Sequence, residues 1–426
     1  MEIEELYKKF KECQGVSTDT RKLTENSMFF ALKGDNFNGN RFIETAFSSG
    51  AKYCVIDEKR ALINSNCILV ADVLSTLQQL ATYHRKSLTT KIIGLTGSNG
   101  KTTTKELINA VLSTTYKVKA TVGNLNNHIG VPLTLLSFKE DLDFGIVEMG
   151  ANHQKEIEFL SSLAQPDFVF ITNFGKAHLE GFGGVQGIIK GKSELYDYAK
   201  SHNKTIFVNT DDKKQVQQTS KYANVITFGS LPDNDYQINF KDVVPFVSLE
   251  FSNEVCLTQL IGAYNFNNIA IAVALGQFFK VPNDLIKKAI EHYVPKNNRS
   301  QIITKGTNSI ILDAYNANPT SMSAALENFR RIEAEDKYLF LGDMFELGEA
   351  AQQEHQTITH FASSNFEKNI YLIGENFFKA KTSDKIKKFK TYDDFEKHIK
   401  STVIQDASIL VKGSRGMALE RILDVL

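Results

Sequence analysis

A chain of 426 residues exceeds the ~100–200 residues of an ordinary single domain, so two or three domains are expected. Its 42% hydrophobic and 23% charged residues are globular proportions, which exclude a disordered, collagen-like or disulfide-scaffold class. Forty-nine Lys plus Arg balance forty-nine Asp plus Glu, against the broad basic footprint of a nucleic-acid binder, and four scattered cysteines without a C-x-x-C pair suggest neither a zinc ribbon nor a disulfide framework.

The N-terminal segment MEIEELYKKFKECQ is charged throughout and lacks the apolar stretch of a signal peptide. No run of ~18 apolar residues occurs, so a soluble protein of a reducing compartment, without a membrane span, is expected. Up to about Arg85, short apolar runs (Met28–Leu32, Tyr53–Asp57, Cys67–Asp72) mix with helical segments and predict a small mixed α/β domain. The polar stretch Lys86–Lys91 reads as a linker.

From Lys91 the pattern changes. Strand-length apolar runs (Lys91–Thr96, Asp143–Met149, Pro166–Phe174, Thr205–Thr210) alternate with helical patterns, as in a parallel sheet buried on both faces. The first run leads into Gly97-Ser-Asn-Gly-Lys-Thr-Thr103 and then a helical pattern. Glycines let backbone N–H groups wrap phosphate oxygens, the helix N-terminus adds partial positive charge, Lys101 reaches the β/γ-phosphates and the Thr102 hydroxyl suits Mg²⁺. Gly97, Asn99, Gly100, Lys101, Thr102 and Thr103 are therefore the expected ATP-binding loop. It is a variant spelling, because position 95 is Leu and the nearest upstream glycine is Gly94.

A phosphate-loop protein needs a carboxylate at a neighbouring strand end to hold magnesium, and Glu148, closing FGIVEMG, fits that place. The alternative, a helix-capping or surface glutamate, is disfavoured by its place after a buried run and before Gly150. His178 follows the next strand, at the end of the sheet where open α/β proteins bind ligands; a structural role competes with a metal or phosphate role. Lys192, in Lys190-Gly-Lys192-Ser-Glu-Leu-Tyr196, reads by itself as a solvent-facing lysine. An apolar helix over about Asn265–Phe279 closes the block.

Beyond a break at Val294–Asn298, βα units recur at Ser309–Tyr315, Lys337–Asp343, Asn369–Glu375 and Ser408–Ser414, predicting a Rossmann-like sheet. The lysine-rich run over Asp384–Lys400 reads as a solvated helical face. The predicted architecture is α/β in three domains: 1–88, small and mixed; 89–295, a central phosphate-loop ATPase domain with a parallel sheet; and 296–426, Rossmann-like. The phosphate loop alone leaves open a nucleotide switch or motor acting through partners.

The motifs TGSNGKTTTKELI, EMGAN, ITNFGKAHLEGFG, KGKSELY, GAYNFNN, LDAYNANPTSM and LGDMFELG occur in the order found in the Mur ligases, and the chain resembles that family from Ser17 to Arg421. These are ATP-dependent amide ligases that build the peptide of the bacterial cell-wall precursor. YNANP, L-G-D-M-x-E-L-G and Ser17-Thr-Asp-Thr-Arg21 resemble the branch that adds D-alanyl-D-alanine to UDP-N-acetylmuramoyl-tripeptide through an acyl phosphate. A sister ligase using another amine is the alternative that these motifs disfavour.

The resemblance implies a cytoplasmic bacterial enzyme, expected to be a monomer. It implies ATP as cosubstrate and two Mg²⁺, with Thr102, Glu148 and His178 as ligands and Lys192 as a lysine that reacts with CO₂, its carbamate supporting the second metal. Asn265 and Asn268 resemble nucleotide contacts, Arg299 an arginine that reaches the ATP phosphates, and Asp313 the ribose ligand. Ser17, Thr18, Asp19 and Arg21 match the uridine-nucleotide motif. Asn124 and Asn127 match a segment facing the sugar and peptide, while Asn316, Asn318, Lys412, Ser414 and Arg415 are candidates around the dipeptide. Three departures stand out: Asn38 and Asn40 replace the branch's F-D-G-H spelling, Tyr264 replaces a histidine, and Lys155 replaces a glycine as an expected harmless surface change.

Overall fold

A computed structural model describes residues 2–243, 246–296 and 298–426. The chain forms three α/β domains, each built round one main sheet. In the first, four parallel strands run Gly15–Ser17, Ser27–Phe30, Ala51–Ile56 and Cys67–Leu69, in that spatial order. The helix Val73–Ser87 starts at Asp72, whose carboxylate accepts Ser75 N–H at 2.6 Å. It runs through part of the expected Lys86–Lys91 linker, because Leu77, Leu80 and Ala81 give it a buried stripe that holds it to the core.

The central sheet has nine strands. The four expected runs become Lys91–Thr96, Phe144–Glu148, Phe168–Ile171 and Thr205–Asn209, all parallel. Five others were not foreseen. Val118–Ala120 has three residues, too few for a periodic signal. Val225–Gly229 extends the parallel order, and Tyr236–Asp242, Ser248–Phe251 and Glu254–Leu257 end the sheet in an antiparallel ribbon. Helix Asn265–Phe278 is apolar nearly all round and is buried against the helix Lys101–Leu112.

The third sheet orders its strands Gln301–Lys305, Asn308–Asp313, Ala407–Lys412, Asp336–Gly342, Ile370–Ile373 and Ile386–Phe389, with only the first pair antiparallel. Asn297, within the predicted inter-domain break, lies outside the described residues. The expected helical face over Asp384–Lys400 is corrected: an edge strand, Ile386–Phe389, precedes the helix Tyr392–Ile399. Only one edge of that strand is paired, so lysines suit it, and Ile386 supplies the buried contact. The carboxyl ends of strands from the central and third domains face one another across a single cleft.

Candidate active site

The cleft, about 1120 Å³ in volume, is lined by the phosphate loop on one side and by the third domain's strand ends on the other. Strand Lys91–Thr96 turns at Gly97 (φ +146°), where a Cβ would lie 1.9 Å from Thr172 Oγ1. Gly100 (φ +79°) starts the helix Lys101–Leu112, and a Cβ there would strike Asn268 Oδ1 at 2.4 Å. Both glycines are thus required by backbone sign and by space. Lys101 Nζ donates to the carbonyls of Gly97 (2.7 Å) and Ser98 (3.4 Å). Burial lowers its pKa, Glu148 opposes that shift, and Arg299 reinforces it.

Glu148 is 2% exposed and ends its strand beside the loop. Its Oε2 accepts Thr102 Oγ1–H at 3.0 Å and its Oε1 accepts Asn126 Nδ2–H at 2.8 Å. Lys105 Nζ, equally buried one helical turn beyond Lys101, lies 3.8 Å from Oε2. Among the described residues no group of three or more His, Cys, Asp or Glu is gathered as a metal site. The hydroxyl and carboxylate oxygens of Thr102 and Glu148 fit Mg²⁺, which takes few protein ligands and fills its shell with water and phosphate oxygens.

His178, in left-handed backbone (φ +53°), precedes the helix Leu179–Phe182. Its buried Nδ1 touches the Glu346 carboxylate of the third domain outside regular hydrogen-bond geometry. The imidazole holds the Glu346 carboxyl below its usual range. Lys192 corrects its bare reading as a solvent residue: it is 1% exposed, donates to Ala151 O at 3.2 Å and lies over the Phe182 ring. Burial pushes its pKa well below the ordinary lysine value, the charge of Lys101 adds to this, and Glu156 and Glu194 oppose it.

Several expected ligand contacts line the cleft and also make hydrogen bonds within the protein. Asn265 Nδ2 donates to Ile261 O at 2.8 Å, its Oδ1 accepts Asn268 Nδ2–H at 2.8 Å, and Asn268 Oδ1 accepts Thr104 Oγ1–H at 3.0 Å. This chain braces the phosphate loop from behind. Asn318 caps the helix Pro319–Arg331 through Ser321 N and donates to Asn99 Oδ1 at 2.7 Å. Lys412, expected at the dipeptide, is buried with its Nζ 2.5 Å from Asp313 Oδ2, while Asp313 Oδ1 accepts Ser300 N–H at 3.1 Å. Ser414 is buried too, and its Oγ accepts Phe345 N–H at 3.0 Å. Asn316 Oδ1 takes the Ala317 N–H.

Thr103, Asn124, Asn127, Arg299 and Arg415 line the cleft. Asn127 Oδ1 accepts Ile129 N–H and Gly130 N–H at the start of helix Gly130–Leu136. Ser17, Thr18, Asp19 and Arg21 do not reach this cleft. They form a closed turn in the first domain, where Arg21 binds Asp19 bidentately at 2.8 and 2.9 Å and pulls its pKa down to about 2. Asn38 and Asn40 join Asp57 and Glu58 in a local network of that domain. Tyr264 OH meets Ser300 Oγ at 2.8 Å, tying the central domain to the third. Lys155 is exposed as expected, yet it holds φ +73° and its N–H donates to Glu194 Oε1 at 2.6 Å. The left-handed backbone is the reason glycine is usual there.

Lys105, Asn126, Tyr315 and Glu346 were missed. Lys105 repeats Lys101 at i+4, the spacing that puts two lysines on one helix face, and is the one such signal the sequence carries. The others depend on contacts between distant segments.

The Mur ligase family catalytic domain matches residues 12–85, the Mur ligase middle domain 95–276, and the Mur ligase glutamate ligase domain 298–415. The chain is 35% identical over 422 residues to a UDP-N-acetylmuramoyl-tripeptide–D-alanyl-D-alanine ligase of Bacillus subtilis, covering 96% of this chain and 92% of that one. A crystal structure of MurF from Acinetobacter baumannii superposes with a TM-score of 0.85 at 29% identity, covering 99% and 97%. The MurF ligase of Thermotoga maritima in complex with ADP superposes with a TM-score of 0.83 at 25% identity, covering 98% and 97%.

Proposed function

The chain belongs to the Mur ligase family, and from that premise we propose that it is the ATP-dependent ligase that adds D-alanyl-D-alanine to UDP-N-acetylmuramoyl-tripeptide. One observation carries the reading beyond family membership. The phosphate loop and the strand ends of the third domain share one cleft, joined across it by the Asn318–Asn99 hydrogen bond. A ligase that activates a carboxylate on one domain and delivers an amine from another needs that juxtaposition; a freely hydrolysing switch does not.

The triphosphate is read onto the loop of residues 97–103. There the helix N-terminus and Lys101, exchanging its loop carbonyls for phosphate oxygens, offset the charge repulsion between ATP and the tripeptide carboxylate. Thr102 and Glu148 would hold one Mg²⁺, and His178 with carbamylated Lys192 a second, the ions supplying charge neutralisation at the γ-phosphate. Burial lowers the Lys192 pKa and so favours the neutral amine, the form that adds to CO₂ with loss of one proton. The tripeptide carboxylate oxygen attacks the γ-phosphorus, the bond to ADP breaks, and an acyl phosphate results. The neutral amine of the dipeptide then attacks the acyl carbon, a proton leaves the nitrogen, and the C–O bond to phosphate breaks. Catalysis rests on positioning and electrostatics.

Residues 1–88 are assigned to the UDP-sugar, 89–295 to ATP and 296–426 to the amine. Arg299 is read as reaching the triphosphate, Asp313 as the ribose side, and Arg415 as the dipeptide side. No helix among the described residues is long and apolar enough to cross a membrane. A cytoplasmic monomer suits nucleotide substrates and a site completed by one chain.

The test is phosphate release with Mg²⁺. Release that needs UDP-N-acetylmuramoyl-tripeptide and D-alanyl-D-alanine together is the expected result. Equal release with glycine, D-glutamate or a diamino acid in place of the dipeptide overturns the assignment, and release without any amine favours a switch.

A further inference from the structure

Tyr315 lies two residues beyond the strand Asn308–Asp313, in the cleft wall, between two arginines. The Arg299 guanidinium carbon is 3.6 Å from the ring centroid and that of Arg415 is 5.2 Å away. Arg415 Nη1 also donates to the phenol oxygen at 3.2 Å. Arg299 Nε is buried without a hydrogen-bond partner, and among the described residues neither arginine forms a salt bridge. Two guanidinium groups on one ring repel each other, and the ring's negative face offsets only part of that repulsion. Their unspent charge faces the cleft.

The two arginines belong to different parts of the site. The charge of Arg299 is felt at Lys101 in the phosphate loop. Arg415 is exposed in the cleft wall, after the strand Ala407–Lys412. The Tyr315 N–H donates to Asn298 O at 3.2 Å, so the ring is anchored next to Arg299. We propose that Tyr315 is a positioning residue that couples the nucleotide side of the cleft to the amine side: its ring face holds Arg299 towards the phosphates, and its hydroxyl holds Arg415 towards the dipeptide. The proposal rests on the ligase reading above. It adds a residue that touches no reacting atom and acts through both arginines.

Two variants separate the two contacts. Tyr315→Phe keeps the ring and loses the hydroxyl; Tyr315→Leu loses both. The constants to measure are the Kd of the ATP analogue AMP-PNP, by calorimetry with Mg²⁺, and the KM of D-alanyl-D-alanine. For Tyr315→Phe we expect the analogue Kd to stay within about twofold and the dipeptide KM to rise about 10- to 100-fold, as for one hydrogen bond to a charged group. Tyr315→Leu should raise the analogue Kd about 2- to 30-fold, the range for a lost cation–π contact, and raise the dipeptide KM as well. Tyr315→Phe giving the same rise in analogue Kd as Tyr315→Leu overturns the division of labour. Both constants unchanged in Tyr315→Leu overturn the proposal, and if that variant does not fold, an unchanged dipeptide KM in Tyr315→Phe does so. Should the wild-type enzyme turn over another amine, the dipeptide assignment falls, and the same measurements with that amine still decide the coupling.

Discussion

Asn318 Nδ2 donates to Asn99 Oδ1 at 2.7 Å, so the residue that caps a third-domain helix also holds the tip of the phosphate loop, 219 positions away in sequence. Its own carbonyl oxygen Oδ1 is spent on Ser321 N–H. One amide therefore links helix nucleation, domain apposition and the loop that receives phosphate. Asn318→Ala is expected to lose about 1 kcal/mol of capping and to lower the melting temperature by roughly 3 °C. It should also raise the KM for ATP, because Asn99 loses its brace. Scanning calorimetry and initial rates check the two effects separately.

Lys101→Met should retain the fold, since Lys101 is half-buried and bonds only loop carbonyls. Turnover should fall about 10³-fold or more, as when a charge is removed from a phosphoryl-transfer transition state. Initial rates alongside far-ultraviolet circular dichroism make the comparison, and near-normal turnover would remove the loop from the chemistry.

Lys192→Ala should be inactive and regain activity with short carboxylates such as formate or acetate, which replace the carbamate. Wild-type activity in that variant without additive contradicts the metal-support role. So does a wild-type mass that never shows the added CO₂ under conditions that preserve carbamates.

Lys105→Met leaves Glu148 buried without its cation. Removing one partner of a buried pair costs about 3 kcal/mol, here moderated by the hydrogen bonds from Thr102 and Asn126. A lower urea midpoint is expected, with Lys105→Met plus Glu148→Gln less destabilised than the sum of the single changes. Strict additivity would show that the two residues do not interact.

Asp167 joins Arg85 of the first domain's last helix, at 3.1 Å, to Lys204 at 2.8 Å and Ile92 N–H at 3.0 Å. Burial pushes its pKa up, but the Lys204 and Ile92 hydrogen bonds and the nearby cations outweigh burial, and the net shift is downward. A carboxyl with a depressed folded pKa stabilises above its unfolded value near 3.9 and loses that contribution as pH falls through the folded value. Asp167→Asn should cost about 1 kcal/mol at pH 7 and progressively less below about pH 4. Urea midpoints across that range decide it; a constant difference would mean that charge is not involved.

What was legible along the chain was local. The glycines at 97 and 100, the lysine after them and the apolar runs around them act within a few residues. Their backbone signs and spacing define a loop before any tertiary contact forms. Strands buried on both faces announce themselves by continuous apolar runs, and they were found. The ribbon strands Tyr236–Asp242, Ser248–Phe251 and Glu254–Leu257 and the edge strand Ile386–Phe389 were not: the two edges, Glu254–Leu257 and Ile386–Phe389, carry exposed polar residues, and the other two lack a continuous apolar run. Lys192 looked like a solvent residue because nothing local shows that Phe182 and Ala151 close over it.

By itself the sequence determined the three α/β units, the phosphate loop and, through its motifs, the kind of bond the protein makes. Only the tertiary structure decided which polar groups face the cleft and which serve the scaffold. Asn265, Asn268, Lys412 and Ser414 line the cleft yet spend hydrogen bonds on the scaffold, whereas Arg299 Nε is left without a partner and Arg415 spends one bond on Tyr315. The physical reason is range: backbone geometry and hydrophobic periodicity are set over a few residues, while a buried charge or amide is satisfied by whatever partner folding brings to it. For Lys412 and Asp313 that partner lies 99 positions away.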